Sequence, residues 1–352
     1  MRLNLRLFAL TFIFLLAHNP SLLAVEANAT DDEESIIDVM GKVVAHDYFE
    51  VLNQKIYLPR ILLVEGDWYF YSSTNAALES GEFTREDGAL VRAEDGAVIS
   101  MDFSITSHLI FVWFGILITL IITFWAGSKY KRGPGAKTEP KGTGQNLFEV
   151  FFIFIRDHIA KEFIPGNKYE KFVPYLFSVF MVISFMNLFG LFPWGVSPTA
   201  NITATAILAG ITFFITQFNG SKDHWEHVFK FPGVHPAMWL ILTPVEILGL
   251  FTKPFALAIR LFANMLSGKI LIVCILGLIF IFVDIFGVAI GASSSVFWVS
   301  LTALLYILKA FIALLQAYIF TLLSAVFIGM AVEEHHHDDH ESSVATTADV
   351  EV

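Results

Sequence analysis

Five ionisable residues stand inside long apolar runs of this chain: Glu246, Arg260, Lys269, Asp284 and Lys309. A charge at mid-bilayer costs about 3 kcal/mol or more unless it is paired or wet, so each is a candidate for handling ions rather than for packing. Spacing sorts them. On an ideal helix Glu246 and Arg260, 14 residues apart, lie within about 40° of each other, and Asn264, four past Arg260, joins that face. Lys269, nine past Arg260, looks the other way, while Lys309 and Gln316, seven apart, share one stripe with Ala313 between them and Ala317 beside it. One polar face thus carries a carboxylate, a permanent cation and an amide in order. Arginine keeps its proton in proteins, so Arg260 can be a fixed positive barrier but not a proton relay. Such a charge repels H⁺ or Na⁺ and attracts a carboxylate arriving from a neighbouring subunit. Glu246 is not its direct partner on a continuous helix, because 14 residues span about 21 Å.

The segments holding these residues are Met238–Val283, 46 residues, and Val296–Val332, 37 residues. As continuous helices they would be about 69 and 55 Å long, too long to stand upright in a hydrocarbon core of about 30 Å. Each must break into two spans or lie steeply tilted. The loop Gly287–Ser295 is the one good break, which favours a tilted hairpin. Upstream, Ile105–Ala126, Phe172–Trp194 and Asn201–Phe218 read as spans, the last two separated by the turn Pro193–Pro198. Asn146–Pro165 is apolar but interrupted by Glu149, Arg156, Asp157, Lys161 and Glu162, which suits a helix lying in the cytoplasmic interface. Lys129, Lys131, Arg132, Lys137 and Lys141 follow the first span and place its C-terminal end in the cytoplasm. Residues 219–237 are then cytoplasmic, and His224, His227 and His235 there match no common metal-ligand spacing; they read as an interfacial cluster beside Trp225. The fold class expected is an all-α polytopic membrane protein with five spans, one interfacial helix and a small exported extension.

Composition agrees. The chain is 55% hydrophobic and only 16% charged, where soluble proteins carry about a quarter, and this excludes a disordered chain, a collagen or a nucleic-acid-binding module. Residues 26–102 hold 17 acids against 5 bases, and 333–352 hold 7 acids and no base, so the net charge of −11 sits on two water-facing ends. Residues 1–27 resemble a secretory signal: Arg2 and Arg6, then apolar Leu7–Leu16, then small Val25 and Ala27 at a cleavage site before Asn28. Residues 28–103 form the exported extension, with β-like runs Ile61–Val64, Trp68–Ser72 and Ala97–Phe103; His46, Asp47 and Trp68 there are read as surface and small core. Residues 104–332 are the membrane domain and 333–352 a solvated cytoplasmic tail containing His335, His336, His337 and His340. The single cysteine, Cys274, allows no intrachain disulfide. With no phosphate-binding loop, HExxH or nucleophile motif, no catalysis and no cofactor or metal are expected of the chain itself.

Three groups of residues resemble subunit a of F-type ATP synthases: Glu246-Ile-Leu-Gly-Leu-Phe-Thr-Lys-Pro254, Arg260-Leu-Phe-Ala-Asn264-Met-Leu-Ser-Gly268, and Leu315-Gln316-Ala-Tyr-Ile-Phe320. Met186-Asn-Leu-Phe-Gly-Leu-Phe-Pro193 and Pro198-Thr-Ala-Asn-Ile-Thr203 match the family's middle spans, and the resemblance covers about residues 103–335. It implies a stator subunit in the inner membrane of a bacterium, with its mature N-terminus exported and its C-terminus cytoplasmic. Its partners would be a rotating ring of c subunits, the peripheral stalk subunit b, the rest of the complex and the lipid bilayer, with no nucleic acid. Two offset aqueous half-channels would meet at the ring, with Arg260 releasing the ion from each incoming carboxylate and blocking a direct leak. Asn264 and Gln316 match polar positions near it, Glu246 a carboxylate of the cytoplasmic half-channel, and Pro198 and Asn201 the polar loop entering the next span. The implied ion is H⁺, although the ring's carboxylates set the choice against Na⁺. Many members have acids or histidines where Lys269 and Lys309 stand, so these lysines either relay ions or are paired. Asp284, His108 or Asp102 then become candidates for the exported half-channel. Outside this family, the residues would also suit a stand-alone secondary ion transporter or channel, but no internal repeat supports that reading.

Overall fold

Runs of Leu, Ile, Phe and Val long enough to cross a bilayer leave backbone polar groups without water, so the chain must bond to itself as helix. The computed structural model describes residues 48–51, 54–86, 89–131, 142–191, 197–229 and 236–333. The signal-like segment, His46, Asp47, His235 and the histidine tail lie outside them.

The polar N-terminal part is built of short strands. β1 (Tyr48–Val51) pairs antiparallel with β2 (Gln54–Tyr57); β3 (Arg60–Val64) pairs with β4 (Asp67–Tyr71) and with β7 (Met101–Asp102), and β5 (Phe83–Glu86) pairs with β6 (Ala89–Arg92). Helix α1 (Thr74–Glu79) starts where the Ser73 hydroxyl accepts the Ala76 N–H. Period-two alternation turns Leu62 and Val64 of β3 inward onto Phe83 and Leu90, with Tyr69 and Tyr71 edge-on to Phe83. Arg60 bridges Asp102 at 2.8 Å, and Arg92 binds both Glu65 and Asp95. The hydrogen bonds from Arg92 pull the Asp95 carboxyl down to about 2.

The apolar remainder is helical: α2 (Ser107–Lys131), α3 (Thr143–Phe154), α4 (Tyr169–Phe189), α5 (Ile202–Phe218), α6 (Lys222–Phe229), α7 (Pro236–Phe286) and α8 (Val288–Val332). Four of these helical segments among the described residues are long and apolar enough to cross a membrane, and α5 with α6, bent by 102° at the break between them, makes up to five. The expected number of five is therefore met only if that bent pair is one span.

Two boundaries differ from the sequence expectation. The turn read at Gly287–Ser295 shrinks to Gly287 alone, whose φ of 83° reverses the chain; Ser293, Ser294 and Ser295 are helical, and each hydroxyl is satisfied by donating to a carbonyl of the preceding turn. Helices α7 and α8 therefore reach 51 and 45 residues and pack antiparallel as a hairpin. The segment read as one interfacial helix is α3 followed by a π-helical turn, Ile155–Ala160, and a last turn, Lys161–Phe163. Ile155, Ile159, Ala160 and Ile164 are buried in the main core, and Arg156 pairs with its neighbour Asp157 at 2.8 Å.

That core forms where α8 meets α4. Ala313, Ala317, Thr321, Ala325 and Gly329 recur every fourth residue on the buried side of α8, so α4 and the π-helical turn approach its backbone closely. Phe172, Leu176, Phe180 and Ile183 of α4 fill the space the small residues leave. The far end of α8 is held by Ser221, whose N–H donates to Ala331 O at 2.7 Å and whose hydroxyl donates to Glu333 O at 2.8 Å.

Candidate ion pathway

Helix α7 has one buried stripe, Leu250, Leu257, Leu261, Met265 and Ile272, at intervals of 7, 4, 4 and 7 residues. Arg260 and Asn264 are exposed and lie to one flank of that stripe, about 100° and 60° from its centre on an ideal helix. No hydrogen bond or ion pair joins Arg260 to another described residue. Asn264 reaches α8, where its Nδ2 donates to Gln316 Oε1 at 2.5 Å. Gln316 is buried, and its Nε2 has no hydrogen-bond partner among the described residues. A donor is thus left aimed into the junction of the two helices, which is costly unless a group from outside the chain meets it.

One turn further along α7, Gly268 makes room for Lys309. A Cβ at 268 would collide with Lys309 Cε and stand 2.9 Å from Nζ. Lys309 is buried, Lys269 is half-buried, and the two are near enough to interact electrostatically. Neither lysine lines either of the two cavities along α5.

Two cavities lie along α5. The larger, of about 240 Å³, is lined by Glu246, Lys253, Asp223, His224, His227 and Glu333, with the second half of α5 forming the wall from Ala209 to Gln217. Glu246 therefore faces water-sized space, not Arg260. His224 Nε2 lies 3.3 Å from Gln217 Oε1. The two histidines were read from the sequence as an interfacial cluster only; their placement at i and i+3 on the short helix α6 was the available signal that they share a face.

The second cavity, of about 60 Å³, is lined by His108, Asn201 and the first half of α5 from Thr203 to Leu208. The two cavities thus meet opposite ends of one helix. From His108 a buried polar chain leads inward. His108 Nδ1 is 3.1 Å from Ser197 O, Ser197 Oγ is 3.4 Å from Thr199 Oγ1, Thr199 donates to Asn187 Oδ1 at 2.8 Å, and Asn187 Nδ2 donates to Ala313 O at 2.9 Å. Ala313 lies between Lys309 and Gln316. Sequence reading named His108 and Asn201 but not Asn187, Ser197 or Thr199, although Asn187 and Thr199 sit inside the quoted motifs. Asp284 is exposed near the hairpin turn and lines neither cavity, and Asp102 is tied to Arg60.

No group of three or more His, Cys, Asp or Glu among the described residues could hold a metal ion. The larger cavity can hold water beside carboxylate and imidazole groups, and the smaller beside the His108 imidazole.

The family described as ATP synthase A chain matches residues 109–329. The chain is similar to ATP synthase subunit a of Chloroherpeton thalassium, 42% identical over 265 residues that cover 74% of this chain and 77% of the relative. It is also similar to ATP synthase subunit a of Chlorobium phaeobacteroides, 44% identical over 69% of this chain and 70% of the relative, and of Myxococcus xanthus, 42% identical over 68% and 77%. A membrane bundle with a long terminal hairpin and family-wide similarity across it lead to one assignment: this chain belongs to the ATP synthase A chain family, as a non-catalytic, multi-pass membrane subunit of the rotary complex.

Proposed function

We propose that the chain is the ion-translocating stator of its complex, forming two offset aqueous half-channels against a rotating ring of c subunits. The single observation that carries this is Arg260, a permanent cation exposed on α7 and without an ion pair among the described residues, in a bundle whose α5 walls one cavity at each end. A ring carboxylate arriving at Arg260 releases its ion because the guanidinium stabilises the ionised form. Arg260 holds its own proton and repels cations, so no ion passes directly between the half-channels.

Glu246, His224 and Asp223 form the cytoplasmic half-channel. His108, Asn201, Thr199 and Asn187 form the exported one, which ends beside Lys309 and Gln316. The buried Gln316 Nε2 donates to a water at the junction of α7 and α8. Lys309, packed against Gly268 and near Lys269, lies at the inner end of the exported path, where the two positive charges repel ions from the hairpin turn. Helices α7 and α8, about 76 and 68 Å long at 1.5 Å per residue, lie tilted in the bilayer to follow the ring's surface. The driving force is about 2.3 kcal/mol per charge per 100 mV, together with the pH difference. Residues 1–27 serve as the export signal, 28–103 as the exported extension, 104–332 as the conducting domain and 333–352 as the cytoplasmic tail, with subunit b and the remaining subunits holding the chain against rotation.

The test is ATP-driven acidification of inverted membrane vesicles carrying Arg260→Ala, with assembly measured in the same membranes. An assembled complex that no longer pumps supports the reading. Normal pumping by that variant overturns it and favours a chain that conducts without a stator charge.

A further inference from the structure

The sheet β4-β3-β7 has two faces, and only one of them is used. Leu62 and Val64 close on the small core, whereas the other face presents Ile61, Leu63, Trp68, Phe70, Met101 and Phe103. Register puts Ile61 opposite Phe70 and Leu63 opposite both Trp68 and Met101, so these side chains form one patch. Trp68 stacks on Phe70 and touches Phe103, with ring centroids 6.3 and 5.4 Å apart. Yet Trp68, Phe70 and Met101 are 52, 68 and 50% exposed. A contiguous apolar patch without a charge, in a domain that otherwise carries many acids, is a surface made to be covered.

The connection to the membrane helix says what covers it. Pairing with β3 continues beyond β7: Phe103 N–H donates to Ile61 O at 2.8 Å, the Ser104 hydroxyl accepts the Ile61 N–H at 3.1 Å, and Ile105 N–H donates to Pro59 O at 3.3 Å. The membrane helix α2 begins at Ser107, two residues later. No flexible linker separates sheet from span, and Phe103 lies within about 13 Å of the helix start, since an extended chain spans at most about 3.3 Å per residue. The patch is therefore held at the bilayer boundary, where Trp and Phe partition favourably.

We propose that this face rests on the lipid interface beside α2, with Trp68, Phe70 and Met101 inserted among headgroups and upper acyl chains. The partner is a lipid surface recognised by apolar area. Residues 26–102 hold 17 acids against 5 bases, so anionic headgroups offer this domain no attraction, and zwitterionic phosphatidylcholine is sufficient. Docking fixes the angle at which α2 enters the membrane and braces the first span of the bundle.

The experiment places a nitroxide at Phe70→Cys, or at Met101→Cys as a second position, in a Cys274→Ser background of the assembled complex in phosphatidylcholine vesicles. Glu79→Cys, exposed on α1, is the water-facing reference. Collision with oxygen and with a water-soluble nickel chelate distinguishes lipid from water. Labels at 70 and 101 are expected to favour oxygen several-fold more than the label at 79, with no change in high salt. Nickel access equal to that at 79 overturns the proposal, since the patch is then in water. Shielding from both reagents also overturns it, because protein then covers the patch.

Discussion

Asn264 Nδ2 donates to Gln316 Oε1 at 2.5 Å, joining the two long helices one turn beyond Arg260 on the same side of α7. The bond is the direct side-chain link by which the Arg260 turn is set against α8. Asn264→Ala strands the buried Gln316 oxygen, a loss of about 1–3 kcal/mol, and frees the Arg260 turn to shift. Pumping is expected to fall severalfold with the complex still assembled. Replacing both residues by leucine removes both polar groups and is expected to restore stability but not pumping. Thermal inactivation and vesicle acidification read the two effects separately; equal loss in both readouts for every variant would mean that the pair only holds the helices together.

Gly268 and Gly329 are both close approaches, against obstacles of different stiffness. An alanine at 268 meets the far end of the Lys309 side chain, which can swing away, whereas an alanine at 329 meets the Phe163 carbonyl, which is backbone. Gly329→Ala is expected to lower the amount of assembled complex sharply. Gly268→Ala is expected to leave assembly near normal and to reduce pumping by moving the Lys309 ammonium. If so, Gly268→Ala has no further effect in a Lys309→Met background, a non-additivity that double-mutant comparison of pumping rates detects.

The Arg92–Asp95–Glu65 cluster ties the turn after β6 to the turn after β3. The Asp95 carboxyl titrates at about 2, below the ordinary 3.8, chiefly because Arg92 hydrogen-bonds it. A lowered value in the folded state means that the ion pair stabilises fully above 3.8 and is lost as pH falls through about 2. Amide exchange in β5 and β6, corrected for its intrinsic pH dependence, is therefore expected to accelerate between those values. Asp95→Asn should exchange faster at neutral pH and lose that step. Asp95 is solvent-exposed, so high salt should shrink the difference.

Much of this architecture is legible in the amino-acid sequence. Apolar length located the helices, and the nine-residue interval sorted Arg260 from Lys269, because a helix converts spacing into direction. The hairpin turn was drawn too long, since serines following a glycine read as loop, while in an apolar setting their hydroxyls bond back to the helix. The π-helical turn was hidden because residue types do not mark it off from an α-helical one; its apolar face, Ile155, Ile159 and Ala160, is buried while Arg156 and Asp157 stay partly exposed. The least visible feature was the chain from His108 to Ala313. Its members come from α2, the loop before α5, α4 and α8, with directly bonded partners up to 126 residues apart, and no local pattern connects them.

Opposite ends of α5 wall the two cavities, so chemical access to them should have opposite sidedness. Leu250 lines the larger cavity with Glu246, and Ile207 lines the smaller with His108 and Asn201. With Cys274 replaced by serine, a cysteine at 250 is expected to react with a small thiophilic cation such as Ag⁺ added at the cytoplasmic face, and a cysteine at 207 with the same ion added at the other face. Each reaction should stop ion flow, because each half-channel is in series with the ring. Glu246→Gln removes the carboxylate from the first cavity and should slow coupled transport severalfold while leaving the reaction at 207 unchanged. Reaction of both cysteines from the same face would place both cavities on one water-filled path, and a chain of that kind would have no need of a fixed charge between them.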